Sequence, residues 1–334
     1  MVGHLYGEKD PRRDSAFTIF YMGINLGALF APLVIGLISD NIFAIKDSTG
    51  DIITYGYKYG FLAAAIGMFF GQMLFNTLSN RYLGEIGKKP LGGKKVLSAA
   101  INEQTQGEQK LTKVEKERIS VIFIFFLFTI FFWAGFEQAG SSLTLYADRY
   151  IDCSVNLPLL GDFTIPTAWF QSINPLFIIL LAPVFAAFWM TKFGQKISTH
   201  VKMGSGMIIL GIGFFFMLAA VAQRGGDIED TAVKASLWWM VLTYLLHTMG
   251  ELCISPVGLS VVTKLSPPRL ASLLMAVWFL SSSIANFIGG FLASYVETLG
   301  AGKIFLYISL FIIACGVLLL LLSKKVSKMM NGVK

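Results

Sequence analysis

Eight stretches of this 334-residue chain run for twenty residues or more almost without charge, and the charged residues gather in the segments between them. The stretches are Ser15 to Ser39, Tyr59 to Asn80, Ile119 to Ala147, Phe163 to Thr191, Met203 to Gln223, Ala235 to Thr263, Leu270 to Val296 and Ile304 to Ser323. A helix needs about 20 apolar residues to cross roughly 30 Å of hydrocarbon, so each stretch predicts one crossing. With 55% hydrophobic and only 14% charged residues, the chain has too few polar side chains to cover a water-soluble globule of this size. The fold class predicted is an all-α polytopic membrane protein in contact with a lipid bilayer.

The basic residues fix an expected orientation. Lys46, Lys58, Arg149, Arg224, Lys234 and Lys303 fall on one side, and the other 21 of the 27 Lys and Arg fall on the opposite side. The positive-inside rule makes the richer side cytoplasmic and puts both termini there. The net charge of +7 is then accounted for by loops beside the membrane, and no nucleic-acid partner is implied. The first 14 residues are polar and lead straight into a full-length span, so they read as a loop rather than a signal peptide. Arg81 to Arg118 is long, basic and polar, and reads as a linker, giving expected parts at 1–80, 81–118 and 119–334. Within it, Thr112-Lys-Val-Glu115 has the form of a capping box and predicts a helix start.

Of the twenty Asp and Glu, only Glu137 and Glu251 lie within spans, and no Lys or Arg does. A carboxyl costs several kcal/mol in hydrocarbon unless it meets a partner or a watery cavity, which makes both acids functional candidates. Glu251 follows His247 by one turn, an arrangement that reads as a polar pair facing a cavity. As a metal half-site it lacks a second cluster of ligands, and three scattered cysteines supply none. Pro256 predicts a bend just beyond Glu251, and Pro175 predicts one beside Asn174. Trp133 lies four residues before Glu137, on the same helical face. Tyr21 and Asn25 share a face in the first span, either as interhelical glue or as part of a site, with Gly23 and Gly27 as small packing positions. Gly204, Gly206, Gly211 and Gly213 predict close helix packing, because the strand and turn of a nucleotide site are missing. No nucleophile elbow, phosphate loop or metal cluster points to an enzyme.

The string Phe20-Tyr21-x-x-Ile24-Asn25-x-Gly27 resembles a signature of the proton-dependent oligopeptide transporter (POT) family of the major facilitator superfamily. The segments Gly3-His4-Leu5-Tyr6 and Asp10-Pro11-Arg12-Arg13-Asp14, the run Glu137-Gln138-x-Gly140-Ser141 and the run Gly250-Glu251-Leu-Cys-Ile-Ser255-Pro256 resemble further stretches of it. The resemblance implies helices five to twelve of a twelve-helix major facilitator fold, with the first four helices outside this chain. It implies proton-coupled symport of di- and tripeptides across a bacterial inner membrane, with the proton as coupling ion and no other cofactor. Glu137 resembles the family's protonation site, and Glu251 the residue that receives the peptide amino terminus. Asn174 resembles a residue bonding the peptide backbone. Tyr21, Asn25, Trp133 and Ser255 are implied as lining, and Trp278 as the wall of a side-chain subsite. An inert or non-transporting membrane fragment is the alternative expectation, as is a relative carrying another small solute. Translating the DNA upstream of Met1 in frame discriminates: four further apolar spans with a Glu-x-x-Glu-Arg motif are expected, and their absence would favour the fragment.

Overall fold

A computed structural model describes residues 12–48, 52–84, 111–157, 161–228 and 230–333. The Gly3 to Tyr6 string, Asp10, Pro11 and most of the linker lie outside the described residues. The chain divides into two compact units, Met1–Thr112 and Lys113–Lys334.

In the first unit, helix α1 (Arg12–Gly36) runs on into a π-helical turn, Leu37–Ile42, and a two-stranded hairpin of Ile45–Lys46 and Ile52–Thr54 leads to α2 (Tyr57–Tyr82). Gly60 lets α2 close on the end of α1, because a Cβ there would sit 2.5 Å from the Ser39 hydroxyl oxygen and 3.0 Å from Ile35. Gly23 and Gly27 differ from the sequence reading. An added Cβ at either would meet nothing within 4 Å, so these glycines face away from α2 and pack no helix within this unit.

The second unit holds α3 (Lys113–Phe136), α4 (Ile173–Met190), α5 (Thr199–Gln223), α6 (Trp238–Leu265), α7 (Ala271–Ala293) and α8 (Ala301–Leu321). Helix α3 starts one residue after Thr112, with Glu115 in its first turn near the positive end of the helix dipole. The third predicted span is not one helix. It breaks at Glu137–Gly140 into a 3-10 turn and resumes as a short helix, Ser142–Tyr150. Pro175 does not kink α4 as predicted. A 3-10 segment, Thr167–Ser172, precedes the helix, which puts Pro175 in its first turn, where a missing N–H costs nothing. Pro256 lies inside α6, which runs as one helix from Trp238 to Leu265. Helix α8 stops at Leu321, and a short helix, Ser323–Met329, carries Lys324, Lys325 and Lys328.

Among the described residues, the segments that contain α1, α2, α3, α4, α5, α7 and α8 are long and apolar enough to cross a membrane. Helix α6, 28 residues long and carrying Glu251 and Lys264, is not in that set. It lies antiparallel along α5 nevertheless, from Gly213 beside His247 to Gly206 beside Gly250 and Ile254.

That contact shows how the unit is held. Apolar side chains gain nothing by leaving lipid for a neighbouring helix, so association depends on close packing and interhelical hydrogen bonds. Helix α5 carries two glycine pairs, each seven residues apart and offset from the other by two residues, hence on nearly opposite faces. Gly206 and Gly213 meet α6, and Gly204 and Gly211 meet α8. A Cβ on Gly206 would lie 2.7 Å from the Gly250 carbonyl, and one on Gly250 would lie 2.7 Å from the Gly206 carbonyl. Against α8 the corresponding pair is Gly204 and Gly316. A hydroxyl seals the seam with α8, where Ser309 Oγ donates to the Gly211 carbonyl at 2.7 Å; on the other face Thr243 Oγ1 lies 3.3 Å from the Gly213 carbonyl while its nearer acceptor is the Trp239 carbonyl at 2.8 Å.

At the rim away from the lysine-rich ends, Arg224 is buried and its guanidinium donates to the carbonyls of Ile228, Asp230 and Val233 while stacking 3.8 Å from the Tyr150 ring centroid. The loop it holds sends the Asp227 carboxylate to the Gly302 N–H at the start of α8, and pairs Ala235 in parallel with Ile151. Cys153, Cys253 and Cys315 are free and buried, and burial pushes the Cys153 thiol up to about 11.

Replacing Gly206 by Val is expected to cost about 1–3 kcal/mol through overpacking against the Gly250 backbone. Gly290→Ala, where an added Cβ meets nothing within 4 Å, is expected to be neutral or slightly stabilising. Thermal unfolding in detergent compares the two.

Candidate functional site

One stripe of α6 carries Tyr244, Thr248 and Glu251, spaced four and three residues apart and therefore on one face. The start of α4 runs parallel to it. Gln171 Nε2 donates to the Tyr244 hydroxyl at 3.4 Å, and Asn174 Nδ2 donates to Thr248 Oγ1 at 3.0 Å and to Glu251 Oε2 at 2.8 Å. Glu251 is only 9% exposed, so the Asn174 amide compensates part of its lost hydration. Thr248 Oγ1 in turn donates to the Tyr244 carbonyl at 2.8 Å.

Glu137 sits at the opening of the 3-10 turn that ends α3 and is half-buried. The helix break frees backbone groups, and side chains satisfy them. Gln138 is fully buried: its Nε2 donates to the carbonyls of Ala134 and of Gly289 on α7, and its Oε1 accepts from Ser142 Oγ at 2.6 Å. The Ala139 carbonyl accepts from Gln171 Nε2 at 2.6 Å, from Thr144 Oγ1 at 2.7 Å and from the Tyr244 hydroxyl at 3.3 Å. The turn that presents Glu137 is thus tied to the 3-10 segment before α4, to α6 and to α7 at once.

The sequence-derived residues fall into three groups. Asn174 and Glu251 are in direct contact, and Glu137 stands on the turn whose Ala139 carbonyl accepts from Gln171 and Tyr244 of the same cluster. Trp133 packs its ring against Phe132 and Phe136 on α3, Trp278 is buried on α7 with its carbonyl bonded by Ser281 Oγ, and Ser255 is exposed one turn beyond Glu251. Tyr21 and Asn25 belong to the first unit, where Asn25 is buried and donates to the Tyr21 carbonyl while the Tyr21 side chain is 45% exposed.

His247 departs from its reading as the cavity-facing partner of Glu251. Its ring lies against Gly213 and the Phe214 ring on α5, fully buried, with neither nitrogen hydrogen-bonded. The bare face of Gly213 leaves room for a flat ring, and the side chain turns into that space on α5. Among the described residues no group of three His, Cys, Asp or Glu is placed to hold a metal ion.

The sequence reading missed Thr248, Gln138, Gln171 and Tyr244. Their signal was available in part, because Thr248 and Tyr244 stand three and seven residues before Glu251 on the same helical face.

The POT family model matches residues 1–97 and 94–304. The chain belongs to the POT family. It is 35% identical to the uncharacterized transporter YclF of Bacillus subtilis, over 100% of this chain and 71% of that protein. The peptide transporter YePEPT of Yersinia enterocolitica is 32% identical over 99% of this chain and 72% of its own length. The fold of this POT-family chain matches a crystal structure of the peptide transporter POT in complex with sulfate, with a TM-score of 0.79 at 31% identity, covering 99% of this chain and 72% of that one. A crystal structure of a POT family transporter in complex with 5-aminolevulinic acid matches with a TM-score of 0.79 at 27% identity, covering 97% of this chain and 72% of that one. Membership makes the chain a multi-pass membrane protein of a transporter family.

Gln138→Leu keeps the side-chain volume and removes the bonds to Ala134, Gly289 and Ser142. It is expected to destabilise the second unit by about 1–3 kcal/mol, as buried polar groups left unpaired do. Hydrogen exchange at Ala134–Ser142 is expected to speed up, whereas exchange in α2 stays unchanged.

Proposed function

We propose that this chain takes part in proton-coupled symport of di- and tripeptides. The observation that carries the reading is the Asn174–Glu251 hydrogen bond within a buried polar cluster of the second unit. A buried carboxylate with a single neutral amide donor is under-compensated, and an ammonium group is a fitting complement. Family membership supports the substrate class, since relatives are named peptide and di-/tripeptide transporters. In this reading Glu251 holds the peptide amino terminus, Asn174 contacts its backbone, and Trp278 and Trp133 bound the space for side chains. Ser255 extends the stripe of α6, and Tyr21 and Asn25 are further candidate substrate-binding residues.

Glu137 carries the coupling proton. It stands at a helix break on a turn that the Tyr244 hydroxyl of α6 holds through the Ala139 carbonyl, and two charged carboxyls in one bundle repel. An amine on Glu251 and a proton on Glu137 then both lower the same repulsion. Release of the proton to the cytoplasm permits the empty carrier to reset by rocking of its helical bundles, as inverted-repeat transporters do. The membrane proposed is the bacterial cytoplasmic membrane, with both termini inside.

The test is uptake of a labelled dipeptide into proteoliposomes with the outside made acidic. Glu137→Gln is expected to abolish uptake driven by the proton gradient and to leave dipeptide exchange intact, and Glu251→Gln to abolish both. Driven uptake that survives Glu137→Gln would overturn the coupling role. Equal uptake of free and N-acetylated dipeptide would overturn the role of Glu251.

A further inference from the structure

Thr248 is fully buried, and its hydroxyl owns one hydrogen. That hydrogen goes to the Tyr244 carbonyl, which can only accept, at 2.8 Å. Towards Asn174 Nδ2, 3.0 Å away, Oγ1 is therefore an acceptor. The amide nitrogen must face it, and the same nitrogen reaches Glu251 Oε2 at 2.8 Å. Both N–H groups of Asn174 are committed within the protein, and its Oδ1 is what the side chain has left to offer a ligand.

We propose that Thr248 is a positioning residue that locks the side-chain amide of Asn174, with its nitrogen on Glu251 and its oxygen reserved as an acceptor for a ligand N–H. The lock matters because Glu251 alone does not fix the amide. An ionised carboxylate accepts from the nitrogen, but a protonated carboxyl can donate to the oxygen, so the amide would turn over with the state of its neighbour. The Thr248 oxygen, with its hydrogen engaged on the backbone, accepts from the nitrogen in either state. Asn174 then presents an acceptor whether or not Glu251 carries a proton, and a peptide whose amine lies on Glu251 finds a second acceptor beside it for a backbone N–H. This inference rests on the proposed roles of Glu251 in holding the peptide amino terminus and of Asn174 in contacting the peptide backbone.

Thr248→Val removes the hydroxyl at nearly constant shape, and Thr248→Ser restores it. Two measurements on the full chain in nanodiscs decide the matter. The first is exchange of the Asn174 side-chain amide protons with solvent, read by NMR on asparagine-labelled protein and assigned by the loss of its signal in Asn174→Asp. Protection is expected in the parent and in Thr248→Ser and loss of it in Thr248→Val; equal protection in all three overturns the lock. The second is equilibrium binding of radiolabelled alanyl-alanine. Thr248→Val is expected to bind about tenfold more weakly, the worth of one to two hydrogen bonds, with affinity recovered in Thr248→Ser. Unchanged affinity in Thr248→Val, or a loss that Thr248→Ser fails to recover, overturns the positioning role. If the parent chain binds no dipeptide, the functional reading fails, and amide exchange alone decides whether Thr248 fixes Asn174.

Discussion

Contact of backbone against backbone between α5 and its two neighbours is what the second unit depends on. In lipid, an apolar side chain is as well solvated by acyl chains as by another helix, so helices must win by packing density and hydrogen bonds. Gly206 against Gly250 supplies that density by letting two main chains meet where any Cβ would intrude on a carbonyl. The contact also has directional content. Gly250 immediately precedes Glu251, so fixing the former against α5 turns the latter away from α5 and towards Asn174 on α4. The packing face and the chemical face of α6 are adjacent sides of one helix, set by residues next to each other in sequence.

The second constraint is the accounting of backbone polar groups at the end of α3. A helix that breaks inside a membrane protein leaves carbonyls without partners, and each must be satisfied locally. Here Gln138, Thr144, Gln171 and Tyr244 do so, and the Ala139 carbonyl receives three donors. The break is consequently a built feature. It sets Glu137 on a turn whose supports come from three other helices, so the carboxyl's position is coupled to theirs.

Much of the architecture could be read from the sequence, because charge spacing is a direct readout of where a chain can and cannot meet hydrocarbon. All eight intervals contain a long helix, and the four glycines of α5 pack as their spacing implied. Local reasoning failed where the deciding contact was remote. Nothing near Asn174 announces that its partners stand 74 and 77 residues later. Helical spacing put His247 with Glu251, but the space made by Gly213 on another helix turned it aside. Gly23 and Gly27 carried the same signal as the α5 glycines and meet no neighbour within their unit. Proline was the least informative residue, since its effect depends on whether it falls in a first turn or an interior one, and boundaries are the hardest feature to read.

Arg224 has a consequence for anyone who wishes to engineer the chain. Loops between membrane helices are the usual places to insert an epitope or a fluorescent reporter, because their backbones are solvated and tolerant. The connection from α5 to α6 is different: its carbonyls at Ile228, Asp230 and Val233 serve as the hydration shell of a buried guanidinium, and its carboxylate at Asp227 caps a neighbouring helix. An insertion there would strand a cation in the protein interior, so this short surface segment behaves as core, and its apparent permissiveness as a grafting point is illusory.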